Sequence, residues 1–402
     1  MEAQWPPVGF ETLPWDSDPE LSALMSKTQR RKIGSSYQAA LPLYIAQRSI
    51  SIPASLSARM AELLVKLARF DAEQQARNYS LPVMLLRSES SASSQIENLT
   101  SSARNVALAE LSSNAPHNAK LIVGNLAAMK RALSLEGPLT VDAILQIHAA
   151  LINHEKASFG GQLRAEQVWI GGTTYSPHGA TYVPPHYSRV ENYLDDLVKY
   201  IARDDIDPLV KAAVAHAQPE TIHPFIDGNG RTGRVLLHKI LRDEEVLQQA
   251  TLPVSAGLLH NIDSYMAAIS EYQQGNPVRV VECLVEALEL AIVVGNLVAA
   301  KIDAVLSEWL HQFKERKGSS IYRLPAVLVE QPVVNVEFLA QHLGITPRAA
   351  RSLTGKACEY GVLRPLGNRK RGEFYQADAI IEVLEEISSI QGIRRVMSGQ
   401  GL

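Results

Sequence analysis

The sequence has little cysteine and no long hydrophobic run free of charge. Only Cys283 and Cys358 occur among 402 residues, which excludes a disulfide framework and predicts a reducing compartment. The first twenty residues lack a basic start followed by an apolar stretch, so we do not expect a secretory signal. The most apolar segment, residues 284–306, carries four charged side chains and is interpreted as a buried or dimerising helix. We therefore expect a cytoplasmic protein with no membrane partner.

The chain also lacks an excess of charge of either sign. A formal net charge of -3 at pH 7 argues against binding of polyanions over the whole surface. Its length exceeds that of one typical core. We predict a mainly α-helical fold in four consecutive parts: a helical N-terminal region (1–120), a central core (121–290), a connecting helix (291–317) and a C-terminal domain (318–402).

Apolar residues recur at three- and four-residue intervals along most of the chain, which is typical of amphipathic helices. The pattern is clear at residues 54–75, 121–135 and 190–204. A long helix is predicted from about Glu286 to Glu315, followed by a linker at residues 317–320.

One segment departs from the helical pattern. Val168–Val183 has β-branched and aromatic residues around Gly171-Gly172 and a turn-forming stretch near His178, which predicts a β-hairpin. His178 and His186 lie in or near this segment, and we interpret both as surface residues rather than metal ligands.

The stretch HPFIDGNGRTGR, residues 223–234, is called the signature below. Gly228, Gly230 and Gly233 fit the G-x-G-x-x-G pattern of dinucleotide-binding proteins and kinases, but that pattern requires a preceding strand or kinase motifs downstream. Residues 208–222 have a helical pattern, and the tripeptides H-R-D and D-F-G are absent from the sequence. Both interpretations are therefore rejected.

The chemistry of the signature favours a polyphosphate ligand. A turn at Gly228, Asn229 and Gly230 that opens a helix forms an anion-binding nest at the positive end of the helix dipole. Arg231 and Arg234 lie three residues apart on that helix, where two guanidinium groups can contact successive phosphates. The alternative for each residue alone is a solvated surface arginine.

Two further signature residues suit catalysis on a nucleotide phosphate. Asp227 offers hard oxygen ligands for Mg2+ bound to phosphates. His223 has an ordinary pKa near about 6.5 and can act as a base toward a hydroxyl group. The inferred reaction is attack by a deprotonated hydroxyl on a nucleotide phosphate.

The signature resembles that of the Fic family, H-P-F-x-[DE]-G-N-[GK]-R-x-x-R, at every defined position. The resemblance implies a Fic (Fido) helical core that transfers AMP from ATP to a Ser, Thr or Tyr hydroxyl of a target protein. It implies that His223 is the catalytic base and Asp227 the Mg2+ ligand. It further implies that ATP is bound by the last seven residues of the signature: Gly228, Asn229, Gly230, Arg231, Thr232, Gly233 and Arg234.

One residue departs from the family pattern. Pro219 stands where the family commonly has an aromatic residue. Proline inside a helix costs about 3 kcal/mol, so we expect either a kink there or a shifted His223.

An upstream segment resembles the inhibitory motif of the family, [ST]-x-x-x-E-[GN], at Ser93, Glu97 and Asn98. The resemblance implies that Glu97 pairs with Arg234 and so occupies the group that the γ-phosphate needs. Ser93 would help to fix this arrangement. The alternative is an exposed helix charge at Glu97.

The resemblance also assigns the predicted hairpin Val168–Val183 to the flap of the family. A target protein would pair with its edge through backbone hydrogen bonds. Tyr265 is predicted either to line the adenine side of the ATP pocket or to belong to the core. A packing role for the hairpin is the alternative.

The C-terminal residues 335–375 have the pattern of a helix-turn-helix followed by a basic hairpin, as in a winged helix. Arg348, Arg351 and Lys356 fall on or near the second helix, and Arg369–Arg371 on the wing, which would suit DNA. Winged helices also bind proteins or dimerise, and this alternative stays open. The alternative function of the whole chain is a DNA-binding regulator whose Fic core is silent, self-modifying or de-AMPylating.

Overall fold

The computed structural model describes residues 5–16, 25–31, 33–74, 76–153, 158–367, 373–388 and 392–395. Arg369–Arg371 of the predicted wing lie outside these residues. The protein is mainly helical, as predicted. Its helices are α1 (Lys27–Arg30), α2 (Ala54–Gln74), α3 (Leu81–Ile96), α4 (Ala103–Ala109), α5 (His117–Ser134), α6 (Val141–Ile152), α7 (Val190–Ile201), α8 (Pro208–Ile222), α9 (Asn229–Asp243), α10 (Val254–His260), α11 (Ile262–Gln273), α12 (Val278–Gln312), α13 (Leu324–Glu330), α14 (Val336–Leu343), α15 (Pro347–Glu359) and α16 (Asp378–Ile387). The strands are β1 (Gly9–Pro14), β2 (Ser36–Leu41), β3 (Val333–Val334), β4 (Arg364–Pro365) and β5 (Tyr375–Gln376).

The N-terminal part differs from the predicted helical region. β1 and β2 pair as antiparallel strands, from Gly9 opposite Leu41 to Pro14 opposite Ser36. In β2 the side chain of Tyr37 is buried and that of Gln38 is exposed, as the alternation of a half-buried strand requires. This alternation extends over too few residues to stand out in the sequence.

The chain divides into two compact units. The first comprises Met1–Leu56, Arg131–Asp243 and Asp263–Cys283. The second comprises Ser57–Lys130, Glu244–Ile262 and Leu284–Leu402. Each unit draws on three separate stretches, so the consecutive domain boundaries stay a prediction.

The core of the first unit is the pair formed by α8 and α9. Alanine and valine cover most of α8, which is buried on nearly every side. A side chain at Gly233 of α9 would place its Cβ only 3.2 Å from His216 Nδ1 of α8, so the glycine permits this close approach. Pro219 does not end α8, which continues to Ile222.

In the second unit, α3 is unusual because its polar side chains are buried. Arg87 donates hydrogen bonds to Glu110 at 2.6 Å and to Gln331 at 2.9 Å. Ser88 donates to the carbonyl of Ile387, and Glu89 accepts from the backbone of Ser255 at 2.7 Å. Residues from distant parts of this unit therefore hold α3 in place.

The C-terminal part of the second unit contains two short helices in the region where the sequence predicts a helix-turn-helix. α14 ends at Gly344, whose left-handed backbone (φ 63°) makes the turn, and α15 begins after the capping residue Thr346. β3, β5 and β4 form a three-stranded antiparallel sheet in that order.

One helix in the described part of the chain, α12, is long and apolar enough to cross a membrane by length and composition. More than half of its most apolar stretch is buried within the protein. It begins directly after Pro277, eight residues before the start expected from the sequence.

Candidate active site

The candidate site is built on the signature loop, residues 223–228, which joins α8 to α9 in the first unit. His223 ends α8 in the left-handed conformation (φ 51°), and its amide donates to the carbonyl of Pro219 at 2.7 Å. The Asn229 side chain accepts from the Phe225 amide and donates to the Phe225 carbonyl, both at 2.9 Å. These bonds close the loop before the helix begins. They fix the direction of the first amides of α9.

His148 of α6, which was not predicted as a site residue from the sequence, packs against the signature loop. Its ring stacks on Phe225 with centroids 3.7 Å apart. The Gly161 amide donates to Nδ1 at 3.0 Å, so Nε2 carries the proton and donates to the Asp227 carbonyl at 3.0 Å. Burial lowers the pKa of His148 to about 4. The neutral ring therefore satisfies both contacts at pH 7.

The predicted base His223 is half-buried in the loop. Burial is the main cause that lowers its pKa to about 4, and the positive charge of Arg164 is the second. The Glu220 backbone and the Asp227 carboxylate act in the opposite direction. The imidazole is therefore neutral at pH 7, which is the form that can accept a proton.

Gly228 occupies a position that strongly favours glycine. Its φ is +78°, and an added Cβ would lie 2.9 Å from Leu151 Cδ2. The amide of Thr232 donates to the Gly228 carbonyl at 2.9 Å, which starts the hydrogen bonding of α9. The N-terminus of a 15-residue helix thus follows directly after a glycine turn, as the sequence predicts for an anion nest.

Asp227 lies at the solvent side of this turn, with its side chain 53% exposed. One carboxylate oxygen accepts from the Gly228 amide at 2.7 Å, and the other lies 3.3 Å from Arg231. The described residues contain no group of three or more His, Cys, Asp or Glu side chains that could hold a metal ion. A single exposed carboxylate fits Mg2+ that takes its other ligands from substrate phosphates and water.

The two signature arginines are buried, not solvated. Arg231 is 1% and Arg234 is 3% exposed. Tyr265 is also buried; its hydroxyl lies 2.9 Å from His216 Nε2, and Arg234 forms a hydrogen bond with it. Of the two alternatives for Tyr265, the core position beside Arg234 is the observed one, and an adenine contact stays a prediction. Thr232 is buried as well.

The predicted flap, Val168–Val183, consists of two arms that are joined by two isolated bridges. Ile170 exchanges backbone hydrogen bonds with Thr181 and Tyr182 at 2.8–3.2 Å, and a second bridge joins Thr173 to Ser176. Extended strands do not form among these residues. The glycines at 171 and 172 have positive φ, and a Cβ at Gly171 would lie 2.5 Å from the Thr181 hydroxyl. The close approach of the arms therefore favours glycine at both positions.

The β1–β2 sheet of the first unit anchors the flap. The Ala40 amide of β2 donates to the Val183 carbonyl at 2.9 Å. Trp15 makes edge contacts with Trp169 and His178, with ring centroids 5.7 and 6.3 Å away. His178 is half-buried and bonded to the Ser36 carbonyl at 2.9 Å, so it has a structural role and is not a free surface residue. His186 likewise caps the short helix Tyr187–Arg189.

The predicted inhibitory segment belongs to the second unit. α3 ends at Ile96, and Asn98 adopts the left-handed conformation (φ 61°) that commonly follows a helix end. Ser93 is buried and Glu97 is half-exposed. The pairing of Glu97 with Arg234 and the alternative of an exposed charge at Glu97 both stay predictions.

Comparisons with known proteins agree with this geometry. Residues 138–241 match the model of the Fic/DOC family. Over 103 residues the chain is 33% identical to the protein adenylyltransferase fic-1 of Caenorhabditis elegans and 36% identical to the protein adenylyltransferase Fic of Drosophila willistoni. Each alignment covers 26% of this chain, which spans about a fifth of the length of these relatives (19% and 20%).

A solved structure extends the likeness of the fold beyond this region. The crystal structure of a Fic family protein from Desulfovibrio desulfuricans G20 matches with a TM-score of 0.53 at 21% identity. The match covers 82% of this chain and 97% of the other. The signature and its glycine turn lie within residues 138–241, and this part of the chain is similar to the Fic/DOC family.

Proposed function

We propose that this protein is an adenylyltransferase that moves AMP from ATP to hydroxyl groups of target proteins. The observation that carries the proposal is the neutral imidazole of His223 directly before a glycine turn that opens α9, with two buried arginines in its first turns. The adenylyltransferases that are similar to 103 residues of this chain support the same reaction.

The proposed reaction uses the residues as follows. The amides of the turn and the guanidinium groups of Arg231 and Arg234 bind the phosphates and align the α-phosphorus. His223 accepts the proton of the target hydroxyl as its oxygen forms a bond to the α-phosphorus. The bond between the α-phosphorus and the bridging oxygen breaks, and diphosphate leaves with the electron pair.

Asp227 would hold Mg2+ together with the ATP phosphates. When bound there, the ion neutralises negative charge on the phosphate oxygens. The second carboxylate oxygen of Asp227 faces Arg231, which keeps the side chain near the phosphate site.

We further propose that Glu97 inhibits the transfer by competing with the γ-phosphate for Arg234. The buried helix α3, held by bonds to several parts of its unit, supports a fixed position for the residues that follow it. A γ-phosphate displaced by about 1 Å lowers the rate on the order of a hundredfold.

The test is transfer of label from [α-32P]ATP to proteins of a lysate. We expect Glu97→Gly to raise labelling on the order of a hundredfold and Glu97→Gly with His223→Ala to abolish it. Glu97→Gly with His311→Ala is the matched control, because His311 is exposed on the second unit. Equal labelling by the histidine variants would refute the role of His223, and no labelling by Glu97→Gly would refute the reaction.

The same assay covers three finer proposals. Label on the protein itself would indicate self-modification. Loss of label from a modified target after ATP removal would indicate the reverse, de-AMPylating reaction. Light scattering during the assay reports whether the chain forms a homodimer.

A second candidate function is DNA binding by the C-terminal elements within residues 335–375. Arg348 and Arg351 are exposed on α15, and a Cβ added at Gly355 of the same helix would meet only open space. Lys356 is less suited, because it pairs with Glu315 at 3.1 Å. Gel shifts with the whole protein should weaken as salt rises, and Arg348→Gln with Arg351→Gln should reduce the salt slope by about 2. Binding that is unchanged by this variant would refute the assignment.

A further inference from the structure

Arg164 is a buried cation that carries no part of the proposed reaction. It is 3% exposed, and burial lowers its pKa to about 10. Among the described residues it forms no ion pair with a carboxylate. All of its side-chain hydrogen bonds go to backbone carbonyls. A buried guanidinium without a counter-ion is costly unless its donors are satisfied, so these carbonyls must be held in place around it.

The carbonyls belong to three separate segments. Arg164 Nε donates to the His223 carbonyl at 2.8 Å, and the Arg164 amide donates to the Pro224 carbonyl at 3.0 Å. Nη1 donates to the Glu166 carbonyl at 3.0 Å, two residues before the first flap arm. Nη2 donates to the Pro185 carbonyl at 2.5 Å, two residues after the second arm. One planar group thus joins the signature loop to the chain on both sides of the flap.

Neighbouring bonds strengthen the same junction. Gln167 Nε2 donates to the Pro184 carbonyl at 2.9 Å, which joins the residue directly before the flap to the residue directly after it. The Tyr182 hydroxyl donates to the Thr221 carbonyl at 2.8 Å, from the second arm to α8. Arg164 lies where these connections converge on the end of α8, whose last carbonyls lack helical partners and favour a cation.

We infer that Arg164 is a positioning residue, which fixes both arms of the flap relative to His223. This inference rests on the proposed function, because a target hydroxyl presented along the flap would reach the imidazole only if the two are aligned. The left-handed conformation of His223 is compatible with this role, since the Arg164 bond holds the carbonyl of that residue. A lysine could not replace the arginine, because one ammonium group cannot span acceptors on three segments in a plane.

The test compares Arg164→Gln and Arg164→Lys with Arg203→Gln in the Glu97→Gly background. Arg203 is the matched control: its Nη1 also donates to backbone carbonyls, those of Ala46 and Arg48, in the same unit but away from the signature loop. We expect kcat/KM for a target protein to fall about 100-fold in both Arg164 variants, with KM for ATP changed less than about twofold. Recovery in Arg164→Lys, or an equal loss in Arg203→Gln, would overturn the inference.

Hydrogen exchange supplies a readout that does not need activity. The amides of Ile170, Thr181 and Tyr182 are bonded between the arms, and their exchange should rise about tenfold in Arg164→Lys but not in Arg203→Gln. Unchanged exchange would refute the positioning role even if activity falls. If the Glu97→Gly protein labels no target, the proposed function fails, while the exchange of these amides still decides the role of Arg164.

Discussion

Three histidines lie in the signature or close to it, and burial keeps all of them neutral at pH 7. The pKa is lowered to about 4 for His148 and His223 and to about 3 for His216. Only His223 lies in the signature. His148 and His216 lie on helices whose sequence shows only a periodic pattern, and a histidine within such a pattern does not reveal its partner.

His216 should make the protein sensitive to acid. Its pKa in the folded protein lies below the unfolded value of about 6.5, so the unfolded state binds the additional proton. The stability that the neutral ring contributes is present above pH 6.5 and is lost as the pH falls toward about 3. We expect each such histidine to cost about 1.4 kcal/mol of unfolding free energy per pH unit in that window.

Urea unfolding at pH 7, 6 and 5 checks this expectation. His216→Gln should flatten the slope by about 1.4 kcal/mol per pH unit. His311→Gln, at an exposed position, should leave the slope as in the wild type. Parallel slopes for all three proteins would contradict the assignment.

Gly228 combines a strained backbone with a close contact, and Gly228→Ala should therefore lose about 2 kcal/mol of stability together with most ATP binding. Gly137→Ala is the matched control, because Gly137 has nearly the same φ (+80°) and an added Cβ there meets nothing within 4 Å. We expect this control to lose about 1 kcal/mol and to bind ATP normally. Isothermal titration with ATP and urea unfolding measure both quantities. Tight ATP binding by Gly228→Ala would contradict the proposal that the turn at Gly228 binds the phosphates.

At the scale of elements, the buried polar face of α3 is the feature that composition least suggests. A run of serines with two charged residues indicates a solvated helix surface, yet Ser90 and Ser94 bond to the backbone carbonyls four residues before them and Asn125 donates to the Ser90 carbonyl. Hydrogen bonds within the helix and to partners outside it, rather than its periodicity, make the burial of these polar side chains tolerable. The same limit applies to the flap, where the sequence predicts two arms and their glycines but not the sheet that anchors them.

The Arg87 network should therefore dominate the stability of α3. Arg87→Met removes the partner of Glu110 and Gln331, and we expect a loss of about 3 kcal/mol. The control Arg69→Met, on the exposed pair with Glu73, should lose less than about 0.5 kcal/mol. The denaturation midpoints of the two variants test this prediction. Similar losses of stability in both would show that the buried pair Arg87–Glu110 contributes no more than the exposed pair.

At the scale of the whole molecule, the signature could be assigned from the sequence because its residues are contiguous. The helical class and most helix positions also follow from local periodicity, as at α7. The assembly of each unit from three stretches could not be predicted, because it depends on contacts between residues far apart in the chain. Tyr265 illustrates this: its place beside His216 and Arg234 is set by packing alone.

Truncation after Glu330 should damage the second unit rather than remove an independent module. Gln331 accepts from Arg87 and donates to the Ala107 carbonyl at 2.9 Å, and the Glu385 carboxylate accepts from the Ala103 amide at 2.6 Å. We expect a lower urea midpoint than for Arg87→Met, since more buried partners are lost. A truncated protein as stable as the wild type would contradict this expectation.

The residues that support the flap limit how far the proposed enzyme can be shortened. A fragment limited to the family match, residues 138–241, would contain the whole signature but would lack Ala40, Trp15 and Tyr265. In this fragment the flap would lack the neighbouring strand β2, and His216 would lack the Tyr265 hydroxyl as its hydrogen-bond partner. A shortened protein should therefore contain all three stretches of the first unit, joined by new linkers, and not residues 138–241 alone.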